Sequence, residues 1–271
     1  MPTRKIIRLF SAVCLVCVLV TGLAGCFSGY ADNPVEQRGT LVQVSTIGAL
    51  LDGLYDGVIT VGELKLYGDF GIGTFEGLDG EMIVLDGECY QVKADGVAYL
   101  VDDAAGTPFA DVTFFDADLE EEIPEGTTYE QLQALLSSVL PTENIFYAFK
   151  IEGTFTYMQT RSVPRQEEPY PTLVEVTANQ AVFELTEVAG TIVGFYSPEY
   201  IDGVGVAGYH LHFLTDDLGA GGHILGFIVE EAAAFVDCTS EFFLILPGEG
   251  SDFYDADFSQ QDLDDIDKAE N

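Results

Sequence analysis

The alternation of apolar and polar residues changes period several times along the chain. In "LVQVSTIGALLDGLYDG", Ile47, Leu50, Leu51 and Leu54 fall on one helical face, with Ser45 placed to cap the helix and Gly57 to end it. The segment "MIVLDGECYQVKADGVAYLVDDAAG" is strand-like, and its Asp-Gly pairs at 86–87 and 95–96 are the usual connectors of β-hairpins. Helical spacing returns in "TTYEQLQALLSSVL", where Thr127 and Glu130 sit as a capping box. "IFYAFKIEGTFTYMQTRSV" is again period two. A Pro-rich stretch, "VPRQEEPYPTL", interrupts it and is the best internal boundary. Beyond it, Thr177 and Gln180 predict a capped helix over "AVFELTEVA", stopped by Gly190. Strands "TIVGFYS", "VAGYHLHFL", "HILGFIVEE" and "EFFLILP" then follow, joined by short turns and trailed by an acidic tail.

The N-terminus obeys different rules. Arg4, Lys5 and Arg8 precede the apolar run "LFSAVCLVCVLVTGLAG", too short and too rich in small residues at its end to favour a membrane span. The run closes on "LAGC", which resembles the lipobox of prokaryotic lipoproteins, so Cys26 is expected to carry lipid and the folded part to be exported. The competing readings are an ordinary secretory signal and an uncleaved anchor. The expected organisation is a signal peptide over 1–25, a tether over 26–40, a β-rich N-terminal half over 41–165 and a C-terminal half over 166–271. Cys14 and Cys17 fall inside the apolar run, so a redox motif is not expected there. Cys89 and Cys238 either pair as one disulfide or are two buried small apolar side chains.

Cleavage after residue 25 removes three positive charges and no acids, taking the formal charge from −36 to −39. That surface argues against nucleic acid or anionic lipid headgroups as partners. An apolar content of 48% with 19 Phe and 13 Tyr marks a well-filled globular chain.

All three histidines lie in "GYHLHFLTDDLGAGGH". His210 and His212 point to one face of an extended segment, their Cα atoms ~6.5–7 Å apart. His223 opens the next strand after a Gly-rich turn, where a hairpin returns it to the same point. Three neutral imidazoles from two neighbouring strands suit a catalytic-type zinc site with open positions, and no cysteinate or methionine stands near to favour copper or iron. The bland alternative is a solvated strand face. Other motifs are weaker. "GIGTFEG" misses a dinucleotide-binding G-x-G-x-x-G by one position, and "DADLEEE" is a solvated acidic run without EF-hand spacing.

Several segments in order, "STIGALLDGLYDG", "DFGIGTFEGLDGEMIVLDGECYQV", "TRSVPRQEEPYPTL", "GTIVGFYSPEYIDGVGVAGYHLHFL" and "GGHILGF", resemble the acetolactate decarboxylase family from about Val44 to the C-terminus. The resemblance implies an α+β fold: two mixed β-sheet halves with a few helices in one compact subunit, the metal site on a hairpin of the second half, and a homodimer. By the same resemblance His210, His212 and His223 are the zinc ligands. Thr74, Glu81 and Arg161 line the active site, and Glu270 lies on a tail that folds back near the metal.

The implied substrate is 2-acetolactate, a small molecule that loses CO₂ to give acetoin. Zinc would serve as electron sink at the ketone and hydroxyl, Arg161 would hold the carboxylate, and Glu81 would donate the proton with Glu270 as its competitor. An exported zinc hydrolase needs only the histidines. A non-catalytic lipoprotein that binds zinc or a keto acid is the third reading.

Overall fold

β-Branched and aromatic residues crowd the chain beyond Thr40, and strands dominate its structure accordingly. The computed structural model describes residues 38–262 and 264–270. The expected signal peptide, Cys26 and nearly all of the tether lie outside the described residues.

In chain order, β1 (Thr40–Val44), α1 (Ile47–Leu51), β2 (Ile59–Thr60), α2 (Val61–Leu64), β3 (Phe70–Thr74), β4 (Glu81–Leu85), β5 (Glu88–Val92), β6 (Ala98–Leu100), β7 (Gly106–Thr107), β8 (Ala110–Thr113) and β9 (Leu119–Ile123) come first. Helix α3 (Tyr129–Val139) and the long β10 (Phe146–Ser162) follow. Past the Pro-rich stretch come α4 (Leu173–Thr177), β11 (Ala181–Ser197), β12 (Gly208–Thr215), β13 (Gly221–Thr239), β14 (Glu241–Ile245) and α5 (Asp264–Glu270).

One sheet runs β14-β1-β8-β3-β4-β5-β6, mixed because β14 joins β1 in parallel while the other pairs are antiparallel. The other runs β10-β11-β12-β13-β9, and β10 also pairs with β13, so four strands close into a ring. The fold is therefore α+β with few helices, as expected; the first sheet is mixed, and every strand pair in the second is antiparallel. Sheet membership does not follow the Pro-rich boundary. β9 and β10 precede it yet belong to the second sheet, whereas β14 follows it and edges the first sheet.

Three local expectations are corrected. The segment "AVFELTEVA" is not a helix but the start of β11, paired residue for residue with β10 from Ser162↔Ala181 onward. Its period is two: Phe183 and Leu185 are half-buried between exposed Val182, Glu184 and Thr186. Backbone pairing to a 17-residue neighbour outweighs the Thr177/Gln180 capping signal, which instead closes the short α4. Helix α1 is capped by Thr46, not Ser45, and ends at Leu51, well before Gly57. Ser45 takes a left-handed φ of 58° and turns the chain into the helix. In α3 the box is one residue on, Thr128 with Gln131, each side chain engaging the other's backbone N–H. Cys89 and Cys238 are both free, the first buried and the second half-buried.

The two sheets meet over Leu41, Phe70, Ile72 and Ile83 from one side and Phe146, Val193, Phe195 and Leu214 from the other. A second cluster gathers Phe149, Phe155, Phe213 and Phe227 of the ring strands with Leu132 and Leu136 of α3. Each such buried Phe contributes about 1.5–3 kcal/mol. A third cluster joins α1, α4 and α5 through Leu50, Leu51, Leu173, Val176, Ile266 and Ala269. This last cluster forms one wall of the site.

Strand β8 carries an acid at a fully buried position. Asp111 Oδ1 has no hydrogen-bond partner, and burial pushes its carboxyl from 3.8 up to about 7. The folded state thus favours the protonated form, and its stability declines as pH rises through that window, by on the order of 4 kcal/mol. Asp111→Asn is expected to flatten the decline, so that the variant gains on the parent in denaturant midpoint above pH 7. Parallel pH profiles for the two proteins would refute this role.

Candidate active site

Strand register assembles the site. In the ring, Arg161 of β10 lies opposite His223 of β13, and His223 lies opposite His212 of β12. Cross-strand neighbours share a face with their Cβ atoms ~4.5–5.5 Å apart, so the guanidinium and two imidazoles form one row. His210, two residues before His212, projects to the same face. The turn after β12 is pinned by the Thr215 hydroxyl, which accepts from the amides of Gly219 and Ala220. The three imidazole rings stand 5.1–5.3 Å apart by centroid, and one nitrogen from each lies within 4.8 Å of the others.

Backbone carbonyls set the ring orientations. His212 Nδ1 donates to Met82 O at 2.8 Å, leaving Nε2 free toward the site. His223 Nε2 donates to Glu270 O at 2.9 Å, leaving Nδ1 free. Burial holds all three imidazoles neutral: His210 falls to about 3, and His212 and His223 lie well below the usual range, with Arg161's charge adding to each effect.

The first sheet delivers Glu81 and Thr74. They face each other across the β3–β4 hairpin, whose turn passes through left-handed Gly77, Leu78 and Gly80. Thr74 Oγ1 donates to Gly80 O at 2.7 Å, so this hydroxyl fixes the turn that presents Glu81. Arg161 Nη1 sits 3.2 Å from Glu81 Oε1, and Nη2 sits 3.3 Å from Glu270 Oε2. Nη2 also donates to Ala269 O at 2.9 Å. The Arg161, Glu81 and Glu270 side chains are 4%, 8% and 7% exposed. Burial pushes Glu81 up to about 7, against the pull of Arg161 and with help from Glu270. Glu270 is raised as well, again by burial against Arg161.

All seven expected residues meet in one place. Reasoning from sequence missed the apolar wall of Leu50, Leu78, Phe109, Val163 and Leu173. It also missed the orienting carbonyls of Met82 and Ala269, since a backbone acceptor has no residue signature.

The donor set fits a metal ion. His210 Nδ1, His212 Nε2 and His223 Nδ1 are buried nitrogens without hydrogen-bond partners. Each such orphan costs about 1–3 kcal/mol. A cation shared by the imidazoles would give such nitrogens a partner, and neutral rings held by backbone carbonyls, as His212 and His223 are, are the form that ligates. Among the described residues no other cluster of His, Cys and acids gathers this way.

The profile of the alpha-acetolactate decarboxylase family matches residues 41–260. An alpha-acetolactate decarboxylase of Methanosarcina mazei is 51% identical over 230 residues, spanning 85% of this chain and 80% of that protein. One from Bacillus subtilis is 42% identical over 235 residues, spanning 87% and 91%. The crystal structure of the alpha-acetolactate decarboxylase from Bacillus subtilis strain 168 superposes with a TM-score of 0.83 at 41% identity, over 86% of this chain and 99% of that one. The protein is thus an enzyme of the carboxy-lyase class. The chain belongs to the alpha-acetolactate decarboxylase family. Helix α5 with Glu270 comes to the site from beyond the matched segment.

A ligand that binds only the folded state stabilises it by about 2.7 kcal/mol at a hundredfold excess over Kd. Adding a divalent transition metal to chelator-treated protein should therefore raise its Tm, and His212→Ala should abolish the rise. A parent Tm indifferent to metal would contradict the three-histidine site.

Proposed function

We propose that this protein decarboxylates 2-acetolactate to acetoin and CO₂ with the help of zinc. One observation carries the reading: three buried, neutral imidazoles share a pocket with a buried guanidinium and a carboxyl raised to about 7. The histidines suit a Lewis acid, the guanidinium a carboxylate, and the carboxyl a proton donor near neutral pH.

When held by His210, His212 and His223, zinc supplies a Lewis acid for the substrate's ketone and hydroxyl oxygens. Arg161 binds the substrate carboxylate through its forked N–H groups and orients the bond that breaks. As CO₂ leaves, the electron pair of the broken C–C bond passes into conjugation with the ketone, giving an enediolate. Glu81 then delivers a proton to the carbon that lost CO₂ and is reprotonated from solvent. Thr74 acts by fixing the turn that presents Glu81. Leu50, Leu78, Phe109, Val163 and Leu173 exclude water and accept the substrate's methyl groups. Glu270 shares the space and is the rival proton donor.

The "LAGC" ending of the leader supports export with a lipid anchor at Cys26, and the family supports a homodimer. Among the described residues no helix is long and apolar enough to cross a membrane.

The test is acetoin formation by the purified, zinc-loaded protein from racemic 2-acetolactate. Glu81→Gln should lower kcat about 10²–10⁴-fold, the usual worth of a positioned proton donor. Arg161→Ala should chiefly raise KM. No acetoin above spontaneous background from the parent would refute the proposal.

A further inference from the structure

The site as built has no room for its ligand. The cavity lined by His210, His212, Arg161, Glu81 and the apolar wall measures about 20 Å³, enough for about one water. A five-carbon hydroxy-keto acid cannot enter it. What fills the remaining space is Glu270. Its Oε2 lies 3.3 Å from Arg161 Nη2, 3.4 Å from His210 Nε2 and 3.8 Å from His223 Nδ1. The carbonyls of Ala269 and Glu270 take up further N–H groups of Arg161 and His223.

From this geometry we infer that Glu270 is an intramolecular stand-in for the substrate's carboxylate, and that α5 lifts from the site before a hydroxy acid binds. The identity of the substrate rests on the decarboxylase reading; the displacement does not. Chemistry favours the substitution, because a free carboxylate offers Arg161 the same two oxygens that the tail now presents.

The attachment of α5 is light enough to yield. A seven-residue helix has no stability of its own. It is docked through Ile266 and Ala269, which are buried against the α1 and α4 cluster. At its base, Gln261 Nε2 donates to Gly48 O at 2.6 Å and to Asp52 Oδ2 at 2.8 Å, tying the segment to α1. Gly48 is close-packed there: a Cβ at that position would meet Gln261 Oε1 at 2.6 Å. A short terminal element without strand pairing opens far more readily than paired strands of a core. While α5 is closed, apparent affinity for an incoming carboxylate is reduced by the open fraction. Lifting also removes Glu270 from the reacting carbon, which leaves Glu81 as the proton donor.

The experiment uses the full-length zinc-loaded protein and 2-hydroxyisobutyrate, a hydroxy acid with no ketone to drive decarboxylation. Hydrogen exchange should quicken about tenfold in 264–270 on adding it, with β10 and β13 unchanged. Glu270→Gln, which weakens the internal competitor, should bind the probe about tenfold more tightly. Gln261→Ala should loosen α5 without probe and tighten binding by a smaller factor, with the pocket untouched. Unchanged or slower exchange in α5 with bound probe would overturn the inference, as would unchanged or weaker binding by both variants. Because neither readout needs turnover, an absence of acetoin would refute the decarboxylase reading alone.

Discussion

A single buried guanidinium organises the site. Arg161 has no water to solvate it and meets two carboxylates instead, one from the first sheet and one from the C-terminal helix. Removing Arg161 would leave two buried carboxyl groups without a counter-charge, a penalty of about 3–5 kcal/mol. The same guanidinium helps keep the three imidazoles neutral, which is the state in which they ligate a cation. Its place opposite His223 follows from the closure of β10 onto β13. The ring is thus more than a scaffold: without that closing pair, the charge and the ligands would stand on separate edges.

Two further constraints follow. His212 is aimed by the Met82 carbonyl, so the first sheet must sit against the ring for the three imidazoles to converge. The hairpin that supplies this carbonyl also presents Glu81, so one strand both orients His212 and places the carboxyl. The C-terminal helix completes the enclosure, and the Leu, Val and Phe wall it rests on keeps the pocket dry. A dry pocket is what raises Glu81 and makes a carboxyl useful as an acid near neutral pH.

Much of this was legible in the sequence where the signal was local. The hairpin around "TDDLGAGG" and the convergence of His210, His212 and His223 follow from strand period and a glycine turn. Placing Thr74, Glu81, Arg161 and Glu270 beside them required a resemblance spanning the whole chain, because their contacts cross as many as 131 positions, from Glu81 to His212. Reading "AVFELTEVA" as a helix failed because capping residues are a weak local preference, whereas pairing with β10 is a long-range one. Shifts of one residue in the caps of α1 and α3 have a similar cause, since adjacent Ser and Thr, or two threonines, carry the same chemistry. The ring closure, the Met82 carbonyl and the Gln261 tie left no trace in residue type.

The central claim is that the guanidinium and the imidazole trio together release CO₂ from a hydroxy-keto acid. Its most direct test supplies 2-acetolactate labelled with carbon-13 in the carboxyl group and follows CO₂ and acetoin together by NMR. The account predicts one labelled CO₂ for each acetoin formed, at a rate at least about a hundredfold above that of chelator-treated protein. Label retained in the product, or an equal rate after the metal is stripped, would contradict it.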